Sequence, residues 1–372
     1  MRIAFISAIL HYPWGGADTL WTHAAEAASG RGDRLLLSVS TAVAEHPRIS
    51  ALIRAGAEVV VRDPPPARAS LGARVLRQLG LARSADAHLI EALRRFRPEV
   101  VVFSQGGTYD LILHKELAVW LRGAGIKHRL VANWQEEHPQ LAPADLSFIR
   151  EAFASADSLN FVSTRNLTIT RRHLDLPLPN ARVIQNPLRW QPADVAPWPA
   201  GVTMNLATVS RLDESKGIQL LLQALVGSGD RLPDWRLNIY GVGPHEAALR
   251  ALAAQTCLGD RVVFRGYAKQ LRDIWAANHL MVSPAIDDGV PMTIPEAMLC
   301  QRPVLATCVG GAEDWLVHGS TGFLCSLPGV AHLSATLREA FAQRARWEEM
   351  GRTAAASATR RYQENDHLLL IT

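Results

Sequence analysis

The sequence predicts an α/β protein of two doubly wound domains facing a cleft, and three observations carry that prediction. Short apolar runs alternate with stretches of helical period; a proline-rich segment interrupts the alternation once; and the same alternation restarts beyond it. Strand followed by helix, repeated, means a parallel sheet. A chain of 372 residues is long enough for two separate cores.

The first domain is expected over residues 1–187. Its apolar runs are Ile3 to Ile9, Leu35 to Val39, Glu58 to Val61, Val100 to Phe103, Arg129 to Ala132, Ser158 to Val162 and Arg182 to Gln185. Helical patterns fall at Thr19 to Ser29, Asp86 to Phe96, Leu111 to Gly123 and Thr164 to His173, and Asn186-Pro187 closes the domain. Residues 188–202 hold Pro192, Pro197 and Pro199 and keep no periodicity, so they read as a linker. The second domain is expected over 203–345. Runs at Met204 to Val209, Trp235 to Tyr240, Val262 to Phe264, Leu280 to Ser283 and Pro303 to Ala306 alternate with helical patterns at Ile218 to Val226, His245 to Gln255 and Leu271 to Ala277. A long helical stretch, about Ala331 to Leu370, ends the chain. Its last part, 346–372, is set apart as C-terminal helices, and a return to the first domain stays open.

Composition narrows the function classes. The chain is 48% apolar and 20% charged, ordinary for a soluble protein, and no apolar run reaches the length of a membrane span. Cys257, Cys300, Cys308 and Cys325 lack metal-ligand spacing, which points to reduced, mostly buried thiols in a cytoplasmic protein. The net charge of +4 is carried almost entirely by arginine, with lysine only at Lys115, Lys127, Lys216 and Lys269. Dispersed basic residues without interleaved aromatics argue against a nucleic-acid track. The basic stretch Arg68 to Arg97 reads first as a solvated helix face and second as a peripheral contact with an anionic (inner) membrane.

The densest motif runs from Ser283: S-P-A-I-D-D-G-V-P-M-T-I-P-E-A-M. Gly289, Pro291 and Pro295 forbid a regular element until the last proline, which suits a helix's first turn. The result is strand, tight loop, helix, with Asp288 in the loop and Glu296 at the helix start. Loops at strand ends are where open α/β sheets bind ligands, and backbone N–H groups there favour anions or hydroxyls. Earlier, V-S-R-L-D-E-S-K-G places Arg211 and Lys216 in the loop after a strand, a pair of cations suited to a diphosphate. Solvated surface charge is the alternative. Gly15-Gly16 follow the first strand and precede a helix, either as a close approach to phosphate or as a plain turn. Y-G-V-G-P (Gly241) lacks the third glycine of a dinucleotide fingerprint, and F-R-G-Y (Gly266, Tyr267) ends a strand where a flat base has room to lie. Asp288 and Glu296 also match a hydrolase pair, but the neighbouring cations imply an anionic leaving group.

In order and spacing these motifs, with V-I-Q-N-P and G-G-A-E-D-W-L-V-H-G-S-T-G-F-L, resemble the retaining nucleotide-sugar glycosyltransferases of group 1, which have the GT-B fold of two Rossmann-like domains. The resemblance covers nearly the whole chain. It implies transfer of a sugar from a nucleotide-diphosphate sugar such as a UDP- or GDP-sugar, without cofactor or metal, to a hydroxyl of a sugar, lipid-linked sugar or small molecule, in polysaccharide, lipopolysaccharide or glycoconjugate synthesis. It also implies that Arg211 and Lys216 hold the donor diphosphate, that Gly15-Gly16 cover it, and that Glu296 binds the ribose hydroxyls. Asp288 with the backbone of Gly289, Val290, Pro291 and Met292 would hold the transferred sugar. Two departures stand out. Asp288 replaces the family's usual glutamate, one methylene shorter, and Gln135, not a histidine, follows the fifth strand, with His138 close by. Two other functions compete: a sugar-nucleotide epimerase, which needs acid–base residues in the cleft, and an inactive GT-B subunit that binds a partner.

Overall fold

The computed structural model describes residues 1–10, 14–62, 85–228, 232–256 and 258–372. They divide into two compact units, one of Met1–Pro187 with Glu364–Thr372 and one of Leu188–Gln363.

The first unit is built on seven strands: β1 (Arg2–Ser7), β2 (Arg34–Val39), β3 (Glu58–Val61), β4 (Val100–Gly107), β5 (Lys127–Trp134), β6 (Ser158–Phe161) and β7 (Ala181–Val183). They lie in the order β3-β2-β1-β4-β5-β6-β7, each pair parallel. Ile3, Ala4 and Phe5 are all fully buried, as a central strand covered on both faces requires. The last nine residues finish this unit. Asp366 accepts from the Gln185 amide at 2.9 Å, Arg182 donates to the Leu369 carbonyl at 2.8 Å, and Arg129 reaches the carbonyls of Leu369 and Thr372.

The second unit holds β8 (Met204–Val209), β9 (Trp235–Tyr240), β10 (Val262–Gly266), β11 (Leu280–Ser283), β12 (Val304–Thr307) and β13 (Gly322–Cys325), ordered β10-β9-β8-β11-β12-β13 and again parallel. Alternate residues of these strands feed two cores, one on each sheet face. Leu206, Leu237, Leu280, Val282 and Leu305 pack with the helices Ile218–Ser228 and Val330–Ala342. Ala207, Val209, Met281, Val304 and Ala306 pack with Leu271–Ala277 and Thr293–Leu299. This second core seats the helix that carries Glu296.

Several expectations need correction. Residues 188–202 group with the second unit instead of standing apart as a linker. Arg302 explains part of this: its buried guanidinium donates to the carbonyls of Ala196 and Pro197, as well as Trp275, which ties the proline-rich segment down. The terminal helical stretch is broken, running as helix Val330–Ala342, a 3-10 turn at Arg344–Arg346, helix Trp347–Arg361 and a 3-10 turn at Asp366–Leu370. Helix Pro143–Ser155 and strand β13 were not anticipated. Cys300 and Cys325 are buried free thiols, and Cys308 is half-buried; Cys257 lies outside the described residues. So does most of the stretch Arg68 to Arg97, of which the described part forms the helix Ala85–Phe96. Among the described residues no helix is long and apolar enough to cross a membrane.

Candidate functional site

Strand order in the second sheet reverses between β8 and β11, so the loops leaving their carboxyl ends lie at a topological switch point, where open α/β sheets bind ligands. Those loops are 210–217 and 284–292. They are stitched together: the Ser215 carbonyl accepts from the amides of Ile286 at 2.7 Å and Asp287 at 3.2 Å. Gly217 lies between them at φ +66°, and a Cβ there would fall 1.9 Å from the Pro284 carbonyl oxygen. Only glycine fits both the backbone conformation and the gap.

This stitching brings two sequence-predicted residues into contact. Lys216 Nζ lies 2.7 Å from Asp288 Oδ2, with side chains 22% and 17% exposed. Arg211 instead donates Nε–H to Asp213 at 2.6 Å. Asp213, which the motif reading passed over, also accepts from the Ser215 hydroxyl at 2.5 Å. Burial pushes the Asp213 carboxyl up, but Ser215 and Arg211 together hold it below the ordinary carboxylate range. Arg211 stays 47% exposed, so that pair adds little stability and leaves the guanidinium at the rim.

Beside the cations opens a pocket of about 310 Å³, lined among others by Arg189, Ser210, Arg211, Gly241, Tyr267 and Thr293. Gly241, at φ +136°, lets β9's exit run against the loop after β8, since a Cβ would meet the Ser210 carbonyl oxygen at 1.8 Å. Its amide donates to the Gly266 carbonyl at 2.8 Å, and Gly266 takes φ +68° with open space around it. Y-G-V-G-P and F-R-G-Y therefore meet at one sheet edge. Past Asp288, Gly289 and Pro291 are buried, while Val290 and Met292 are half-buried. The Gly289 carbonyl is held by the Gly311 amide at 2.9 Å.

Glu296 stands in the first turn of the helix Thr293–Leu299, as the motif implies. It is 1% exposed, and Arg189 holds both its oxygens: backbone N–H and Nε–H reach Oε1 at 3.3 and 3.2 Å, and Nη2 reaches Oε2 at 3.2 Å. Although burial opposes its charge, Glu296 and the Tyr267 hydroxyl raise the Arg189 guanidinium's proton affinity above its ordinary value. Sequence reasoning missed Arg189 because it lies in the segment read as a linker. The only signal was an arginine two residues past Asn186-Pro187.

In the first unit, Gly15 caps the helix Gly16–Gly30 in an ordinary extended conformation, and its amide donates to the Asp18 carboxylate at 3.0 Å. Gln135 follows β5 and is buried, accepting from Thr170 at 3.1 Å and donating to the Glu136 carbonyl at 3.2 Å; His138 is exposed. Among the described residues no group of three or more His, Cys, Asp or Glu is arranged to hold a metal ion.

Residues 203–343 match the family model described as glycosyl transferases group 1. The second unit carries a group 1 glycosyltransferase domain. Around this domain, the chain is 32% identical over 162 residues to D-inositol 3-phosphate glycosyltransferase of Pseudarthrobacter chlorophenolicus, covering 42% of this chain and 39% of that protein. It is 29% identical over 122 residues to N-acetyl-alpha-D-glucosaminyl L-malate synthase of Bacillus anthracis, covering 33% of this chain and 32% of that one. Thus the match spans about a third of the length of such curated relatives. Over its whole length the chain superposes on Anabaena HepE in complex with UDP, with a TM-score of 0.72 at 18% identity, covering 100% of this chain and 98% of that one. The fold that the glycosyltransferase domain shares with its partner unit is GT-B, two Rossmann-like halves.

Proposed function

We propose that the chain is a retaining glycosyltransferase that moves a sugar from a nucleotide-diphosphate sugar to an acceptor hydroxyl. The observation that carries this is the Lys216–Asp288 contact at the switch point of a group 1 domain. One of the three Lys216 donors is used by Asp288, leaving others for a phosphate oxygen. Arg211 on the pocket rim supplies the second cation. Cleavage of the sugar C1–O bond leaves new charge on the diphosphate, and fixed cations beside it stabilise the transition state more than the bound donor. The acceptor oxygen bonds to C1 from the face the phosphate leaves, and its proton passes to the departing phosphate oxygen. Configuration is thereby retained.

In this scheme Asp288 takes a hydroxyl of the transferred sugar, with the backbone of Gly289, Val290, Pro291 and Met292 beside it. The nucleoside occupies the pocket by Gly241, Gly266 and Tyr267. A role in glycoconjugate synthesis is supported by a lipopolysaccharide core biosynthesis mannosyltransferase of Rhizobium meliloti, 32% identical over 115 residues, covering 30% of this chain and 33% of that one. A nucleoside-diphosphate donor is supported by the UDP and glucose in a second HepE structure, 19% identical to the chain with a TM-score of 0.71, covering 100% of this chain and 98% of that one. The test is to incubate the chain with UDP- and GDP-sugars, with and without pooled sugar acceptors and with excess chelator. Release of nucleotide diphosphate that acceptors accelerate and chelator spares is expected. An interconverted sugar nucleotide would indicate an epimerase, and no turnover an inactive subunit.

A further inference from the structure

We propose that Arg189 is a positioning residue for the nucleoside: its guanidinium fixes the Glu296 carboxylate so that Oε2 is presented to a ribose hydroxyl of the bound donor. This rests on the proposed nucleotide site, with Glu296 as its ribose acid, and adds to it a residue outside the 203–343 stretch that matches the family model.

The two oxygens of Glu296 are used unequally. Oε1 accepts twice, from the Arg189 backbone N–H at 3.3 Å and from Nε–H at 3.2 Å, while Oε2 accepts only from Nη2 at 3.2 Å. Each carboxylate oxygen offers about two lone-pair positions, so Oε1 is filled and Oε2 keeps one for a ligand. The terminal torsion of a glutamate is broad, so the side chain alone does not choose where either oxygen points. Three contacts from one residue do choose it. The nearby pocket is the ligand side of this pair, since Arg189 and Thr293, the first residue of the Glu296 helix, both line it. Arg189 is held in turn: the preceding Leu188 amide donates to the Tyr362 hydroxyl at 3.0 Å, and Arg302 ties down Ala196 and Pro197 beyond it. A carboxylate at 1% exposure is costly to keep out of water unless it is paired, and the guanidinium, 37% exposed, supplies the pairing. A hydroxyl that donates to such an acid makes a charge-assisted bond, roughly twice as strong as a neutral one. A side chain without the fork would leave the backbone N–H on Oε1 and the carboxylate free to turn.

The experiment is calorimetry on the full chain with UDP and GDP, then with the 2′- and 3′-deoxy forms of whichever binds more tightly. It reads the deoxy penalty, the ratio of deoxy to ribose dissociation constants on one protein, from which any change in folded fraction cancels. The parent should show a penalty of ~10- to 100-fold for at least one deoxy form, the loss of a hydrogen bond to a charged group. In Arg189→Gln the penalty should shrink to less than about threefold while the nucleotide still binds. Arg189→Lys keeps the charge beside Glu296 without the planar fork; it guards against a fold lost through an unpaired acid, and its penalty should shrink as well. Glu296→Ala removes the acceptor and should abolish the penalty. Arg189 variants that keep the parent's penalty, however weakly they bind, would overturn the inference and make the ion pair a staple of its segment alone. A parent that binds neither nucleotide or shows no penalty, or a penalty that survives Glu296→Ala, would instead remove the ribose site beneath it, and the inference with it.

Discussion

Lys216 and Asp288 are 72 residues apart in the chain and 2.7 Å apart in space, one at the end of the loop after β8 and the other in the loop after β11. The contact exists because the sheet places its first and fourth strands side by side. Lys216→Ala should lower transfer by ~100-fold or more, the scale of losing one fixed donor from a transition state. The double variant with Asp288→Asn should be less impaired than the product of the singles, because the two side chains share one interaction. Steady-state rates for all four proteins check this, and multiplicative losses would separate their roles.

Asp288 is one methylene shorter than the glutamate expected at its place. Asp288→Glu should keep the charge opposite Lys216 while moving the carboxylate outward. The expected outcome is a changed ranking of sugar donors with nucleotide diphosphate affinity kept within about threefold, since the lost or gained contact is to the sugar. Rates on a panel of UDP- and GDP-sugars, set beside affinities for the free nucleotides, measure the two effects separately.

Two glycines near the site share a left-handed backbone but not a setting. Gly217 has φ +66° with the Pro284 carbonyl where a Cβ would stand, and Gly266 has φ +68° with open space. Gly266→Ala should therefore cost about 1–2 kcal/mol, the strain of the conformation alone. Gly217→Ala must also push the two loops apart, so its loss of stability should be clearly larger and transfer should fall with it. Urea melts of the two variants make the comparison directly.

Much of this was legible from residues. The β8 loop, the β11 loop and the helix around Pro295 follow from apolar runs ended by glycine and proline, whereas the Lys216–Asp288 contact needed the strand order of the folded sheet. Arg189 was not legible, because its partner Glu296 is distant in sequence and three prolines downstream mask its segment as a linker. Asp213 was passed over for a similar reason: an acid two residues from an arginine reads as surface charge until the fold shows its hydroxyl partner, Ser215. Helix Pro143–Ser155 follows the polar stretch from Gln135 to Gln140, and its apolar face is narrow, formed by Ile149, Ala152 and Phe153.

His279 gives the second unit a pH dependence apart from the site. Buried at 1% exposure, its Nδ1 accepts from the Asn205 amide at 3.0 Å; burial, helped by the nearby Arg302 charge, lowers its pKa below the usual histidine value. The unfolded chain therefore binds the proton first as pH falls below about 6.5, and the unit loses stability from there down through the folded pKa. His279→Asn keeps an acceptor for Asn205 without a titrating ring. Its stability should fall less than the parent's between about pH 7 and pH 5, as denaturant midpoints at the two pH values will show.

In the proposed function the paired loops after β8 and β11 hold the diphosphate of a sugar nucleotide. Calorimetric titration of the full chain with UDP and GDP, beside Lys216→Ala, tests it most directly. Saturable 1:1 binding of at least one nucleotide diphosphate is expected, weakened ~10- to 100-fold in Lys216→Ala at an unchanged melting temperature. Binding of equal strength in the two proteins would contradict it.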